Sequence, residues 1–297
     1  MRLSEIVREL DGKLIADGEF ETLEYCTCNT DRKFLFFLEN IKFINKINLN
    51  ATCVLCKEEL KDLLPNTIEG IFITDYPKEV FHIIHNELSQ KEEYTGIISK
   101  NVIGNGCTIS KNAKIASQNV TIGNNTIIED NVVIYENVEI GENCIIHSGS
   151  IIGGKAFTFA RGNGQILGLR DVGKVKIGDR VEICSLAHIA KGILPTDVTC
   201  IGDDVKIDAY VHIGHGACIG NRTMVAAGAI IGGNSQIGMD SWIGINATVS
   251  NRIIIGNNSR VNLGAVVTKD VLDNVSVTGN FAIDHRKFLD NLRESIK

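Results

Sequence analysis

The sequence has no excess of basic residues, no long apolar run and no secretory leader pattern. Its 30 Lys and Arg are outnumbered by 36 Asp and Glu, for a net charge of −6. Nucleic-acid binding would need a basic face, so the balance argues against that class of partner. No apolar stretch reaches the roughly 20 residues of a membrane span. The N-terminus, MRLSEIVREL, is amphipathic and charged, unlike a leader peptide, so a cytoplasmic location is expected. The remaining composition is globular: 44% hydrophobic and 22% charged over 297 residues, enough for one large domain or two ordinary ones.

The nine cysteines read as reduced, buried small hydrophobes. Cys26, Cys28, Cys53 and Cys56 form a C-x-C and a C-x-x-C pair, which leaves a zinc site as an alternative; the first spacing is tight for one, and no metal is expected.

The dominant signal is a period of six. From Ile177 to Val267 an aliphatic residue recurs at every sixth position and fails once, at Pro195. That period suits neither an α-helix nor a simple hairpin strand, and it is the signature of a hexapeptide parallel β-helix. Three hexads close one triangular coil of about 18 residues, so residues eighteen apart stack. The count predicts a ladder of Ile183, Ile201, Ile219, Ile237 and Ile255, with the Gly after many inward residues easing a corner.

The repeat begins near Ile103, changes phase by one residue at Ile122, and runs to Ile152, giving roughly eight coils in all. Residues 153–174 carry no hexad and read as a functional loop ejected from the solenoid. Residues 1–95 read as a small α/β domain. A helix and turn are predicted over 1–18, strands over 20–28, 34–38, 51–56 and 70–74, helical turns over 39–47 and 57–64, and a helix from Pro77. SQKEEY, 89–94, reads as a linker. The β-helix domain is 96–280, and 281–297 reads as a C-terminal helix suited to capping the open end.

Among the titratable residues, His215 is the best candidate base. It lies two residues after inward Ile213, which points it outward near a corner. Gly233, eighteen residues on, stacks at the same corner and offers a backbone N–H to an oxyanion. His212 lies on the same side, for substrate contact or structure, and Asp208 is placed to orient a histidine or bind sugar. The competing view is that His215 decorates a solvent face.

Beyond the repeat, the whole chain resembles the UDP-3-O-acylglucosamine N-acyltransferase family of lipid A synthesis and its sugar-nucleotide relatives. The resemblance is carried by LSEIVRELDGKLIADGE at the start, FLFFLENIKF at 34–43, HSGSIIGGKAFTFA at 147–160 and IDAYVHIGHGACIG at 207–220. It implies a left-handed coil, a homotrimer with active sites between subunits, and His215 as the catalytic residue. It also implies that Phe37 and Phe43 sandwich a pyrimidine base, with Asn40 between them in the substrate set. Phe157, Phe159 and Arg161 in the ejected loop would cover sugar or acyl chain. The family's second histidine falls near Arg252 here. The end of the repeat, GAVVTKDVLDNVSVTGN, is similar instead to acetyl-CoA-dependent sugar acetyltransferases, which implies Gly233, Ala265, Lys269 and Arg286 along acyl-CoA. The expected activity is transfer of a short acyl group, with acetyl-CoA as the leading donor, to the amine of a UDP- or dTDP-linked amino sugar in surface glycan synthesis. Three alternatives stay open: an acyl-carrier-protein-dependent lipid A acyltransferase, a γ-type carbonic anhydrase-like metalloenzyme, and a non-catalytic scaffold. The metalloenzyme needs three converging histidines. His188 and His212, 24 positions apart, are expected not to share a ladder.

Overall fold

In a computed structural model the repeat closes into a left-handed parallel β-helix whose three flat faces are sheets of nine, eight and eight short strands. The structure describes residues 1–28, 30–96, 98–161, 164–279, 282 and 284–295. Part of the expected loop (162–163) and of the expected C-terminal segment (281, 283, 296–297) therefore lies outside the described residues.

One inward ladder is isoleucine throughout: Ile103, Ile122, Ile140, Ile177, Ile201, Ile219, Ile237 and Ile255 pair in register from coil to coil. A β-branched side chain packs well on its own copy at the parallel-strand spacing of about 4.8 Å. Ile183 is not in this ladder. It pairs with Ile146 and Ile207 on the next face, because one coil is 24 residues long, from 183 to 207. The extra six residues form an excursion around 191–197, and a six-residue insertion leaves the hexad phase unchanged.

The glycines after inward residues serve a different purpose from the one expected. The left-handed backbone falls two positions later, as at Asn125 (φ 56°), Asn143 (φ 56°) and Asp240 (φ 58°), residue types that tolerate that region. The glycines are needed for closeness: a Cβ on Gly123 would lie 2.5 Å from the Gly141 carbonyl carbon of the next coil.

The N-terminal domain is a five-stranded sheet of order β1-β5-β4-β3-β2: β1 Lys13–Ala16, β2 Thr22–Leu23, β3 Phe34–Leu38, β4 Ala51–Cys56 and β5 Gly70–Ile73. Only β1 runs antiparallel to its neighbour. Central β4 is buried at all six positions, as a parallel strand covered on both faces must be. Helix α1 is one turn, Leu3–Ile6, shorter than the helix expected before a turn within 1–18, and β1 follows it. Helix α2, Pro77–Leu88, follows the prediction, with Val80, Phe81, Ile84 and Leu88 buried. The expected linker is instead helix α3, Glu92–Thr95, whose Tyr94 is buried and donates to His85 Nδ1 at 2.8 Å.

The non-hexad segment after Ile152 is not a free flap. It forms a hairpin, Phe159–Arg161 with Ile166–Gly168, docked on the polar side of α2. Lys78 Nζ donates to Phe159 O (3.0 Å) and Asn86 Nδ2 to Gly168 O (2.8 Å), while Arg170 N donates to Asn86 Oδ1 (2.9 Å). His85 Nε2 donates to Arg170 O at 2.8 Å; burial lowers the His85 pKa to about 4, keeping the ring neutral. Ala156 and Leu169 of this segment, with Ile193 and Leu194 of the six-residue excursion, join the hydrophobic core of the N-terminal domain. Both departures from the repeat thus fasten the two domains together. The C-terminal helix α4 spans His285–Ser295, and its described side chains are exposed apart from half-buried Leu289.

Candidate active site

His215, Gly233 and Asn251 are each the second residue after an inward position, Ile213, Ile231 and Val249, and these stack in successive coils. The stack explains the glycine. A Cβ on Gly233 would sit 2.6 Å from His215 Nε2, so only Gly leaves that nitrogen room. The expected oxyanion donor is corrected, however: Gly233 N–H already donates to Asn251 Oδ1 at 3.0 Å. The same bond recurs at equivalent positions, from Met239 N to Asn257 Oδ1 (3.0 Å) and from Asp203 N to Asn221 Oδ1 (3.0 Å). It is a general corner fastening of this coil.

The other ring nitrogen meets a residue that sequence reasoning missed. Asp197 Oδ2 lies 3.9 Å from His215 Nδ1, both side chains are largely buried, and Nδ1 has no hydrogen-bond partner among the described residues. Burial pushes the His215 pKa below its ordinary value, the Asp197 charge pulls it back up, and the Arg252 guanidinium lowers it further. Burial likewise raises Asp197. The Asp197 carboxylate accepts from Ile193 N at 2.8 Å, and Thr196 beside it donates to buried Glu24, whose pKa burial raises to about 7. The arrangement suits an imidazole protonated at Nδ1 toward the carboxylate, with Nε2 free to take a proton.

Nε2 opens into a cavity of about 490 Å³ lined by His215, Gly233, Asn251, Arg252, Phe37, Asn40 and Phe43, among others. The structure therefore brings together five of the predicted residues from two domains. Phe37 is fixed edge-on against Phe81 (ring centroids 5.1 Å) and Tyr25 (6.3 Å). Phe43 carries the Lys42 ammonium 4.9 Å from its ring centroid, and Asn40 caps the helical turn Ile41–Lys46 through Lys42 N. A second cavity of about 600 Å³ shares Tyr25, Thr27, Asn234 and Arg252 with the first and adds Glu24, Asp197, Cys200 and Cys218. The two form one trough with the His215–Asp197 pair at its middle.

Other predicted residues stand apart. Phe157 is 93% exposed and stacks edge-on with Phe159; neither lines the trough, nor does exposed Arg161, and of this stretch only Thr158, just before the hairpin, reaches it. Asp208 sits at a different corner, where its carboxylate accepts from Ala209 N (2.7 Å) and Ala227 N (3.2 Å), so the histidine partner is Asp197 and not Asp208. Ala265 is buried in the last coils, and Lys269 and Arg286 are exposed; none of the three lines the trough.

His212 and His188 correct a further expectation. The 24-residue coil puts them in register, their rings stacked at 5.1 Å and 11° with Nδ1 to Nδ1 at 3.1 Å. They share one ladder within the subunit but bond to each other. Among the described residues neither belongs to a group of three metal-ligating side chains. Nor do Cys26, Cys28, Cys53 and Cys56 form one: Cys53 and Cys56 are buried in the separate cores on opposite faces of β4.

Comparisons with known proteins bear on the class. The bacterial transferase hexapeptide (six repeats) profile matches residues 119–154 and 201–233. The UDP-N-acetylglucosamine acyltransferase of Francisella novicida is similar in structure, with a TM-score of 0.51 and 27% identity over 64% of this chain and 73% of that one. The UDP-N-acetylglucosamine acyltransferase from Campylobacter jejuni shares the fold, with a TM-score of 0.54 and 22% identity over 67% of this chain and 82% of its own. No curated protein matches by sequence. Together these findings support a hexapeptide-repeat acyltransferase. No helix among the described residues is long and apolar enough to cross a membrane.

Proposed function

We propose that the protein is an N-acyltransferase that moves a short acyl group from acyl-CoA, acetyl-CoA being the leading donor, to the amine of a nucleotide-linked amino sugar. The observation that carries this reading is the shared cavity: a half-buried histidine with one open nitrogen lines it together with an aromatic pair on a separate domain. Phe37 and Phe43 are suited to hold a pyrimidine base, which would bring the sugar toward His215. His215 Nε2 takes a proton from the attacking amine as nitrogen bonds to the thioester carbonyl carbon. The tetrahedral intermediate collapses with cleavage of the carbon–sulfur bond, and the imidazolium returns its proton to the leaving thiolate. Asp197 stabilises the imidazolium in between. Arg252, which lines the same cavity and lowers the His215 pKa by its charge, offers a positive charge to the oxyanion or to a phosphate. The trough runs open to the surface, and a homotrimer would supply its missing wall.

The likeness to the Francisella novicida enzyme favours a second reading. That enzyme is named for a UDP-sugar whose amine is already acylated, which points to a hydroxyl acceptor and a UDP handle. An acyl-carrier-protein donor belongs with that reading. Purified protein is offered acetyl-CoA, longer acyl-CoAs and acyl carrier protein against UDP- and dTDP-sugars, with thiol release and product mass as readouts. An acyl gain that resists hydroxylamine supports N-acylation; a labile product or strict carrier-protein dependence supports the alternative. His215→Ala should lose at least about a hundredfold in turnover, and near-normal turnover removes His215 from the chemistry.

A further inference from the structure

At another corner of the solenoid, outside the trough, three successive coils present side chains with the chemistry of a transition-metal site. Glu129, His147 and Cys184 each follow the inward residue of one ladder, Ile128, Ile146 and Ile183. Glu182 precedes Ile183 on the same face. The ligating atoms of His147, Glu182 and Cys184 all lie within 4.8 Å of one another, and all three residues are half-buried. Among the described residues this is the one such group.

The surroundings are organised as a metal site's outer shell usually is. A histidine that binds metal through one ring nitrogen generally gives the other to a carboxylate, which sets its tautomer and orientation. Here His147 Nδ1 is 2.9 Å from Glu129 Oε1, so Nε2 is aimed at Glu182 Oε1, 3.1 Å away. Glu129 is itself held: its other oxygen accepts from Ser148 N and Ser148 Oγ, both at 3.0 Å. Glu182 divides its oxygens in the same manner, Oε1 toward the histidine and Oε2 toward Lys206 Nζ at 3.6 Å. One nitrogen, one sulfur and one carboxylate oxygen, carried on rigid stacked coils, match the borderline-soft preference of zinc.

We propose that His147 Nε2, Glu182 Oε1 and Cys184 Sγ bind a zinc-class divalent ion, with Glu129 as the positioning carboxylate and a water in the fourth place. The ion would staple the coils on either side of the long excursion between Ile152 and Lys174, so its role is to brace the segment that carries the α2-docked hairpin. It is independent of the acyl-transfer reading.

The test is metal binding by the full-length chain. The purified, chelator-treated protein is titrated with Zn²⁺ by equilibrium dialysis, and with Co²⁺ by absorbance. One ion per chain, with a sulfur-to-cobalt charge-transfer band, is expected. Cys184→Ser should abolish the band and Glu129→Gln should weaken binding about 10- to 100-fold. His147→Gln should lose binding while circular dichroism shows the β-helix intact. A Cys200→Ser/Cys218→Ser variant should bind as the unaltered protein does. Absence of binding, or a band that survives Cys184→Ser, overturns the proposal and leaves His147 as a bridge between two glutamates.

Discussion

Glu24 offers a sharp test of how the six-residue excursion is held at the active corner. Its carboxyl is 4% exposed, takes a hydrogen bond from Thr196 and faces the Asp197 charge. Burial raises its pKa from 4.5 to about 7. Folding therefore takes up a proton at this group between those values. Its contribution to stability is complete below pH 4.5 and is lost as pH rises through about 7. A shift of that size corresponds to about 3 kcal/mol, at 1.36 kcal/mol per unit, as an order of magnitude. Glu24→Gln keeps the shape and an acceptor for Thr196 but has no charge to bury. His82 and His85, lowered to about 4 by burial, act in the opposite sense: their contribution is present above pH 6.5 and falls as pH drops through about 4. They are common to both proteins and cancel in the difference. Urea unfolding of the two proteins at pH 5 and pH 8 gives the comparison. Because pH 5 already lies above 4.5, the Gln variant should gain on the parent by about 2.5 kcal/mol between those pH values. A difference that does not change with pH refutes the account of Glu24 as a carboxyl protonated in the folded state.

Gly233→Ala should fold normally, since its backbone is not in the left-handed region, yet lose at least about tenfold in turnover as its methyl meets His215 Nε2; unchanged turnover with unchanged thermal stability would show that Nε2 needs no clearance there. Cys218 should be the first thiol alkylated at neutral pH, because the Cys200 thiol paired with it in the next coil lowers its pKa. Cys200→Ala should slow that labelling by roughly tenfold, read by peptide mass spectrometry, and equal rates would remove the pairing from the argument. Asn86→Ala deletes two of the bonds that clamp the hairpin segment to α2, so limited proteolysis within 157–170 should accelerate by about tenfold, in keeping with roughly 1–3 kcal/mol lost. Cleavage at the original rate would mean that the remaining contacts, those of Lys78 and His85 among them, hold the hairpin without Asn86.

Much of this architecture is legible from spacing alone, because a β-helix writes its geometry into a one-dimensional period. The inward isoleucines, the position of His215 after Ile213 and its stacking beneath Gly233 all follow from counting sixes. The same arithmetic hid Asp197. An insertion of six residues preserves the phase, and the lone sign of it was the failed position at Pro195. Counted straight through, it shifted Ile183 into the wrong ladder, separated His188 from His212, and left the histidine's partner unnoticed. The oxyanion assignment of Gly233 failed for another reason: an N–H shows in the sequence, but its acceptor, the Asn251 carboxamide one coil on, does not. In the N-terminal domain the strands with strong apolar text, β3, β4 and β5, were legible. The exposed strand β1 was not, because its pairing with β5 rather than its own pattern makes it a strand.

The docked hairpin gives the molecule the character of a set gauge. Phe37 and Phe43 on one side of the trough and His215 on the other belong to different domains, and on the proposed reading the gap between them is the dimension an acceptor must match. A hinge at that junction would let the gap follow its cargo. Instead, the contacts of α2 with the hairpin and of the N-terminal core with Ile193 and Leu194 tie the two sides together across that junction. Changing what fits there then calls for no new residue on either side: a longer or shorter strut on the far side of the junction would reset the calibration.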